Sequence, residues 1–325
     1  MASGKAAVWS GFWARLFAWV IDFLVLGGVC LGVGWAAIDH VSTWGSNGRA
    51  FGLALGVIYF GLTASGLFGG RSIGMRVCGL KVTGLGGRPL GLPAAIGRAV
   101  LLVGPLMLNG WLLDFKDSTP TYVFGVVAIT AVFGVSLAQI YLLLFNLPTH
   151  RLVHDLVFRS VVVRHDAKDF TVPPAGVHAV VATVLVLAAL GLALAAPSIL
   201  QAWMPNVQAV LSPEQRVVDA VNALPEVVVT GVNDNTTTVY ATSGPANVSR
   251  TLVVTARVRV WPANVNRELA RIGAATTKVY HFAPAQQLTV KIIYGFDLGF
   301  GSYSYSQGDQ FATTCTTADV NCLVR

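Results

Sequence analysis

The chain has 325 residues, 54% of them hydrophobic and only 11% charged, with 22 Lys and Arg against 15 Asp and Glu. Soluble domains carry about 25% charged residues, so this composition excludes a disordered chain, a coiled coil and an ordinary cytosolic enzyme. The charge is also uneven. Residues 1–200 hold 13 basic and 7 acidic residues among long apolar runs, while residues 201–325 hold 9 and 8 at a soluble density. That predicts a membrane part followed by a water-soluble appendage. The basic excess then lies next to anionic lipid, and no nucleic-acid partner is expected.

A membrane-spanning helix needs about 20 apolar residues. Phe17–Ile38, Phe51–Phe68, Tyr122–Phe145 and His178–Leu200 qualify. A fifth stretch, Ala99–Leu113, is short and holds Pro105 and Asn109; it either crosses with help from its neighbours or lies in the interface. If it crosses, the N-terminus and the 69–98 and 146–175 loops share one side. They carry eleven Lys and Arg, against Arg49 and Lys116 alone on the other. Basic loops stay cytoplasmic, so the expected topology is five crossings with the N-terminus inside and the C-terminal domain outside. The first helix is too long, and too interrupted by Asp22, for a cleaved signal peptide. The expected division is a membrane domain over 1–175, a final transmembrane helix over 176–200 and an extracytoplasmic α+β domain over 201–325.

Three groups of residues in the membrane part carry chemistry. Arg15 and Asp22 are seven apart, so on a helix they share a face and lie about 10 Å apart along the axis. A carboxylate inside the bilayer costs about 2.5–3.5 kcal/mol even on mild scales, so Asp22 must pair, protonate or face a wet cavity. A structural charge clamp and a proton or cation site both satisfy that demand. The second group is Gly69-Gly70-Arg71-Ser72-Ile73-Gly74-Met75-Arg76, continuing through Gly79-Leu80-Lys81-Val82. The third is His154-Asp155-Leu156, followed by Arg159-Ser160-Val161-Val162-Val163.

Taken in order, these residues resemble the RDD family of bacterial polytopic membrane proteins over about residues 8–165. The family's arginine at the start of the first helix falls on Arg15, its aspartate within that helix on Asp22, and its late aspartate on Asp155. The Gly-Arg-Pro-Leu run and Arg98 also fit. Where family members often read Gly-Thr, this chain has Arg159-Ser160. The resemblance implies an inner-membrane protein and a transporter, cation/proton antiport having been suggested for some members.

Beside the resemblance, the residues themselves make further predictions. Val77–Thr83 and Phe158–Val163 are β-branched and alternating, which predicts a small cytoplasmic β element. That element would draw Asp155 and Arg71 or Arg76 toward the cytoplasmic end of the first helix. Arg15 and Asp155 are expected to pair there, with Asp22 deeper. His150 and His154 are four apart, but a zinc site needs more ligands in firmer spacing, so no metal is expected. Thr63, Ser65, Ser136 and Gln139 are expected to hydrogen-bond between helices or to line a path between them. Gly28 with Gly32, Gly52 with Gly56, and Gly66 with Gly70 have the spacing of close packing.

In the appendage, Pro197 is expected to end or kink the last span. A helix then starts at Ser212-Pro213 and runs to about Leu224. Strands follow at Glu226–Val232, Thr237–Ala241 and Thr251–Val260, with a turn at Asn233-Asp234-Asn235. A second helix runs from Trp261 to about Ala275, and strands close the domain at Gln287–Phe296 and Ser302–Ser306. This order predicts an antiparallel sheet with helices on one face. Outside the cytoplasm Cys315 and Cys322 would form a local disulfide, worth about 2–3 kcal/mol in the chain-entropy account.

The sequence holds no P-loop, dinucleotide fingerprint, nucleophile elbow, zinc-protease motif or Cys-x-x-Cys, so neither an enzyme nor a cofactor is expected. Two functions stay open. One is a small-cation/proton transporter or antiporter with Asp22, Arg15 and Asp155 at its site, supported by Arg71, Arg76 and His154, and with monovalent cations and protons as ligands. The other is a membrane-anchored scaffold or envelope sensor that meets a protein partner through residues 201–325. Homo-oligomerisation is left open.

Overall fold

The computed structural model describes residues 8–111, 118–167, 170–203, 207–239, 247–282 and 286–311. The expected disulfide pair, Cys315 and Cys322, lies outside these residues. The chain divides into two units. The first comprises Met1–Val33, Ser46–Pro197 and Leu298–Gly301; the second comprises Gly34–Gly45, Ser198–Asp297 and Ser302–Arg325.

The first helix, α1, runs Phe12–Ala36, and a single turn, α2, follows at Ile38–Val41. Helix α3 spans Gly48–Ala64, and a short α4 forms at Ile73–Val77. After strand β1 (Leu80–Gly84), Pro93 in the first turn opens α5, Leu92–Leu108, where a missing N–H costs nothing. Helix α6 (Ser118–Ile129) passes through a π-helical segment, Thr130–Val135, into α7, Ser136–Phe145. A second short helix, α8 (Val153–Val157), precedes strand β2, Ser160–Arg164, and α9 runs Val177–Trp203.

Among the described residues, three helical stretches are long and apolar enough to cross a membrane: Phe12–Ala36, Pro120–Phe145 and Val177–Trp203. Helices α3 and α5 have 17 residues each. Large apolar side chains stay exposed along the long helices, among them Phe17 and Leu24 on α1, Phe133 and Ile140 on the second stretch, and Val184 and Leu192 on α9. Such faces fit hydrocarbon and not water. Pro197 does not end α9, which continues six residues beyond it to Trp203. The helix keeps going because bonds on either side of the proline carry the ladder past one lost donor.

Strands β1 and β2 pair antiparallel, Leu80 opposite Arg164 and Gly84 opposite Ser160. Trp9 bridges to Val163 beside them. This two-stranded element packs Leu80, Val82 and Val162 against Ala18 of α1, Ala64 and Ala95. It therefore fixes the loops that follow α3 and α7 to the base of α1. Elsewhere in this unit Leu298–Gly301 lies in a groove between helices. A Cβ on Gly52 would meet the Leu298 carbonyl, and one on Gly56 the Phe300 ring. Of the three small-residue spacings, Gly52 with Gly56 and Gly66 with Gly70 make close approaches, the latter to Pro89 and the Val82 carbonyl, whereas a Cβ on Gly28 or Gly32 would meet nothing within 4 Å among the described residues.

In the second unit α10 (Val207–Asn222) is followed by β3 (Val227–Val239), β4 (Asn247–Val258), α11 (Val265–Val279), β5 (Gln287–Asp297) and β6 (Ser302–Phe311). One core joins Val217 and Val221 of α10, Leu269 and Ile272 of α11, and Leu252, Val254, Leu288 and Val290 of the sheet, so both helices cover one face. Gly34–Gly45 adds to this unit through Trp35 against Tyr303 (4.5 Å between rings) and Tyr294 Oη donating to Asp39 (3.0 Å).

Four expectations for this unit need correction. The sheet order is β3-β4-β5-β6, but β4 and β5 run parallel; the long connection through α11 allows the crossover that a parallel pair requires. No turn forms at Asn233-Asp234-Asn235, where β3 continues straight through, with Asn233 opposite Val253. The polar run is satisfied by tertiary partners, since Asp234 accepts from Arg250, Tyr280 and Gln286. Helix α10 starts at Val207, which puts Pro213 inside it where the sequence suggests its first position. Helix α11 starts at Val265 and not at Trp261, because Asn264 caps it, its side chain accepting from Arg267 N at 3.0 Å.

Candidate functional site

Asp22 lies in the middle of α1 and is 1% exposed. Its Oδ1 accepts from Tyr59 Oη at 2.6 Å and from the Gly74 backbone N–H at 2.8 Å. Its Oδ2 accepts from Ser72 Oγ at 2.5 Å. The Gly-Arg-Ser-Ile-Gly-Met motif is thereby explained. Ser72 caps α4 by accepting from Met75 N while donating to Asp22. Tyr59 of α3 also accepts from Ile73 N at 3.0 Å. Gly74 must be a glycine because a Cβ there would strike the Ala18 backbone carbonyl of α1. Only that close approach lets its N–H reach the carboxylate.

Asp155 is fully buried on α8. Its Oδ1 accepts from Arg98 Nε at 3.0 Å and Ser160 Oγ at 2.7 Å. Its Oδ2 accepts from Leu152 N at 3.3 Å and lies 3.8 Å from Arg15 Nη1. Arg98 also donates to Ser160 Oγ at 3.3 Å. Arg15 spends its other donors on backbone: the carbonyls of His150 (2.6 Å), Thr149 (2.7 Å) and Val162 (3.0 Å), with Ser10 Oγ at 2.6 Å. The first helix is therefore riveted to the turn after α7 and to β2 through one guanidinium. A buried ion pair survives only when its remaining donors and acceptors are filled in this way.

Burial alone would raise the Asp155 carboxyl, but Arg98, then His154 and Arg15, and the Ser160 hydroxyl hold it below the usual carboxylate range. Burial pushes His154 down to about 3, opposed by Asp155 and reinforced by Arg98 and Arg15. His154 is thus neutral at pH 7, and at that pH its share in holding Asp155 vanishes; the two arginines carry it. The His154 ring reaches Gln139 Oε1 through Nδ1 at 3.1 Å, and Gln139 Nε2 donates to the Leu101 carbonyl at 3.4 Å. The polar cluster therefore extends from α8 to α7 and α5.

The structure brings Arg15, Asp22, His154 and Asp155 to one partly open pocket of about 80 Å³, lined also by Phe60, Met75, Leu80 and Leu102. That is space for a few water molecules. Arg15 and Asp155 meet, while Arg15 and Asp22 line the same space with separate partners. Arg71 and Arg76 do not join this site; each donates to the other's carbonyl at 3.4–3.5 Å. His150 contacts the Leu143 carbonyl through Nδ1 at 2.7 Å, and no group of three or more metal-ligating side chains occurs among the described residues.

Arg98 enters the sequence reading only as a residue that fits the family and not as a member of the site. It sits one position ahead of the expected span Ala99–Leu113 and therefore counts as a loop charge. Helix α5 begins at Leu92, two turns earlier than Ala99, so Arg98 is carried inside it and is 3% exposed. The available signal was Pro93 after Gly91, the usual mark of a helix start. Tyr59, Ser72 and Ser160 gave no signal of their own.

Compared with known proteins, residues 9–159 match the RDD family. The matched region contains Arg15, Asp22, Arg98, His154 and Asp155, and the residues after it match no family. No curated protein matches the chain.

Proposed function

We propose that the chain is a non-catalytic, multi-pass protein of the bacterial inner membrane whose RDD-family region anchors the C-terminal α+β domain outside the cytoplasm. That domain would act by binding a protein partner in the envelope. In this reading α3 and α5 also cross, their 17 residues lying at the lower limit for a span, which gives five crossings with the N-terminus inside. The bias of basic residues supports that orientation.

The observation that carries the anchoring reading is the occupancy of Asp22. Of about four acceptor sites on a carboxylate, three already serve Tyr59, Ser72 and Gly74. Asp155 is likewise filled by Arg98, Ser160 and Leu152. Both acids act as fasteners between elements, and neither offers an open coordination face to a cation.

A second reading, a small-cation/proton transporter with Asp22 as its site, is favoured by the water-sized cavity that Asp22 shares with Arg15, Arg98, His154 and Asp155. Ionisable groups around an intramembrane cavity often mark such a path. Proton and sodium flux into proteoliposomes carrying the full chain separates the two. Anchoring predicts flux equal to empty vesicles. Flux above that level, lost in Asp22→Asn, would replace anchoring by transport. Reporter fusions should place Arg164 inside and residue 325 outside.

A further inference from the structure

We infer that Arg71 and Arg76 form the headgroup site of an anionic phospholipid, with one acyl chain lying along the flank of α3. The two arginines line an open groove of about 470 Å³ whose other walls include Ile58 and Leu62 of α3 together with Phe68 and Ile73. Ile58, Phe68 and Ile73 are exposed, as are Leu67 and Val77 on the same segment. An exposed apolar loop beside two cations is the pattern of a membrane interface.

The charges here lack an anion. Among the described residues no carboxylate lies within 4.0 Å of either guanidinium, in contrast to Arg15 and Arg98. The hydrogen bonds that Arg71 and Arg76 make run to carbonyls at 3.4–3.5 Å, including Arg76 Nη2 to Phe68 O. Among the described residues Nε of Arg71 is buried with no hydrogen-bond partner. Two cations held five residues apart, each with donors to spare, complement a phosphate, which arginine binds through paired N–H groups. The apolar walls select the source of that phosphate. A free anion or an acidic peptide would leave Ile58, Phe68 and Ile73 in water, whereas a lipid covers them with its own chain. The inference is independent of whether the chain anchors or transports.

The test is native mass spectrometry of the full-length protein titrated with phosphatidylglycerol and with phosphatidylcholine of identical chains. Wild type should prefer phosphatidylglycerol. At about 1 kcal/mol per basic residue near a membrane surface, the R71Q/R76Q variant should lose roughly thirtyfold of that preference. Leu62→Trp fills the groove without touching charge, and it should weaken phosphatidylglycerol binding while both arginines remain. Equal wild-type affinity for the two lipids would overturn the assignment, as would an undiminished preference in R71Q/R76Q or unchanged binding in Leu62→Trp. Displacement of the lipid by millimolar inorganic phosphate would mark a free-anion site and overturn it too. Should R71Q/R76Q fail to fold, the wild-type comparison and Leu62→Trp still decide the matter.

Discussion

His154 gives the most quantitative handle on the buried cluster. Its pKa is about 6.5 in an unfolded chain and about 3 in the folded protein, so the folded value is depressed. The unfolded state therefore takes up a proton first as pH falls. The stability that His154 contributes is whole above pH 6.5 and is lost progressively from there toward pH 3. At pH 5 the unfolded imidazole is 1.5 units below its pKa, which at about 1.36 kcal/mol per unit amounts to a loss of about 2 kcal/mol. The figure hardly changes if the folded value is 4 in place of 3, because the folded ring is neutral at pH 5 either way. The assay is the apparent melting temperature in detergent at pH 7.5 and pH 5.0, followed by tryptophan fluorescence. His154→Gln, which can still hydrogen-bond Gln139, should be less stable than wild type at pH 7.5 and should lack this increment of acid sensitivity. Taking the difference between the two proteins removes the common contribution of the other histidines. Equal drops in wild type and His154→Gln would refute the reasoning.

Asp22→Asn keeps the shape but replaces one acceptor oxygen by an NH₂, which faces Ser72 when the remaining oxygen stays on Tyr59 and Gly74, and the buried donor left unmet should cost about 1–3 kcal/mol; a melting temperature equal to wild type would speak against the fastener role. Gly74→Ala must separate α4 from α1, and a loss of about 2 kcal/mol or more is expected from forced overpacking, measured as thermal stability in detergent. Arg159 occupies the left-handed region with φ of 51°, where glycine is unstrained, so Arg159→Gly should stabilise by about 1 kcal/mol; a lower melting temperature would show that its side chain contributes more than its backbone costs.

Much of this arrangement was legible, and the reasons differ by element. The apolar runs identified the helices because length and hydropathy are all a membrane demands. The pairing of β1 with β2 could be read from valine-rich alternation on two loops confined to one side. Arg15 and Asp155 meet because the same sheet draws their segments together. The partners of Asp22 were hidden: Ser72 and Gly74 reach it through a short helix whose existence depends on that very contact, and neighbours in sequence carry no trace of it. Arg98 was hidden by a boundary, since moving the start of α5 by seven residues turns a loop charge into a buried one. The Asn-Asp-Asn run misled because local turn preference yields when Arg250, Tyr280 and Gln286 supply tertiary partners. The parallel pairing of β4 with β5 depends on where α11 returns the chain, which strand patterns do not encode.

The placement of Leu298–Gly301 in the first unit has a consequence for synthesis. Gly52 and Gly56, which the segment covers, are made early, and α5 is complete at residue 108. About 190 further residues must leave the ribosome before Phe300 exists. At roughly 5–20 residues per second that is about 10–40 s, during which the inserted helices hold an unfilled groove. The membrane unit thus cannot reach its final packing helix by helix as it emerges. Its last piece arrives only after those residues have been made, so a chain stopped short of Leu298 would insert yet remain unfinished. Completion of the helix bundle thereby becomes a record that synthesis has passed through the strands of the second unit as far as Gly301.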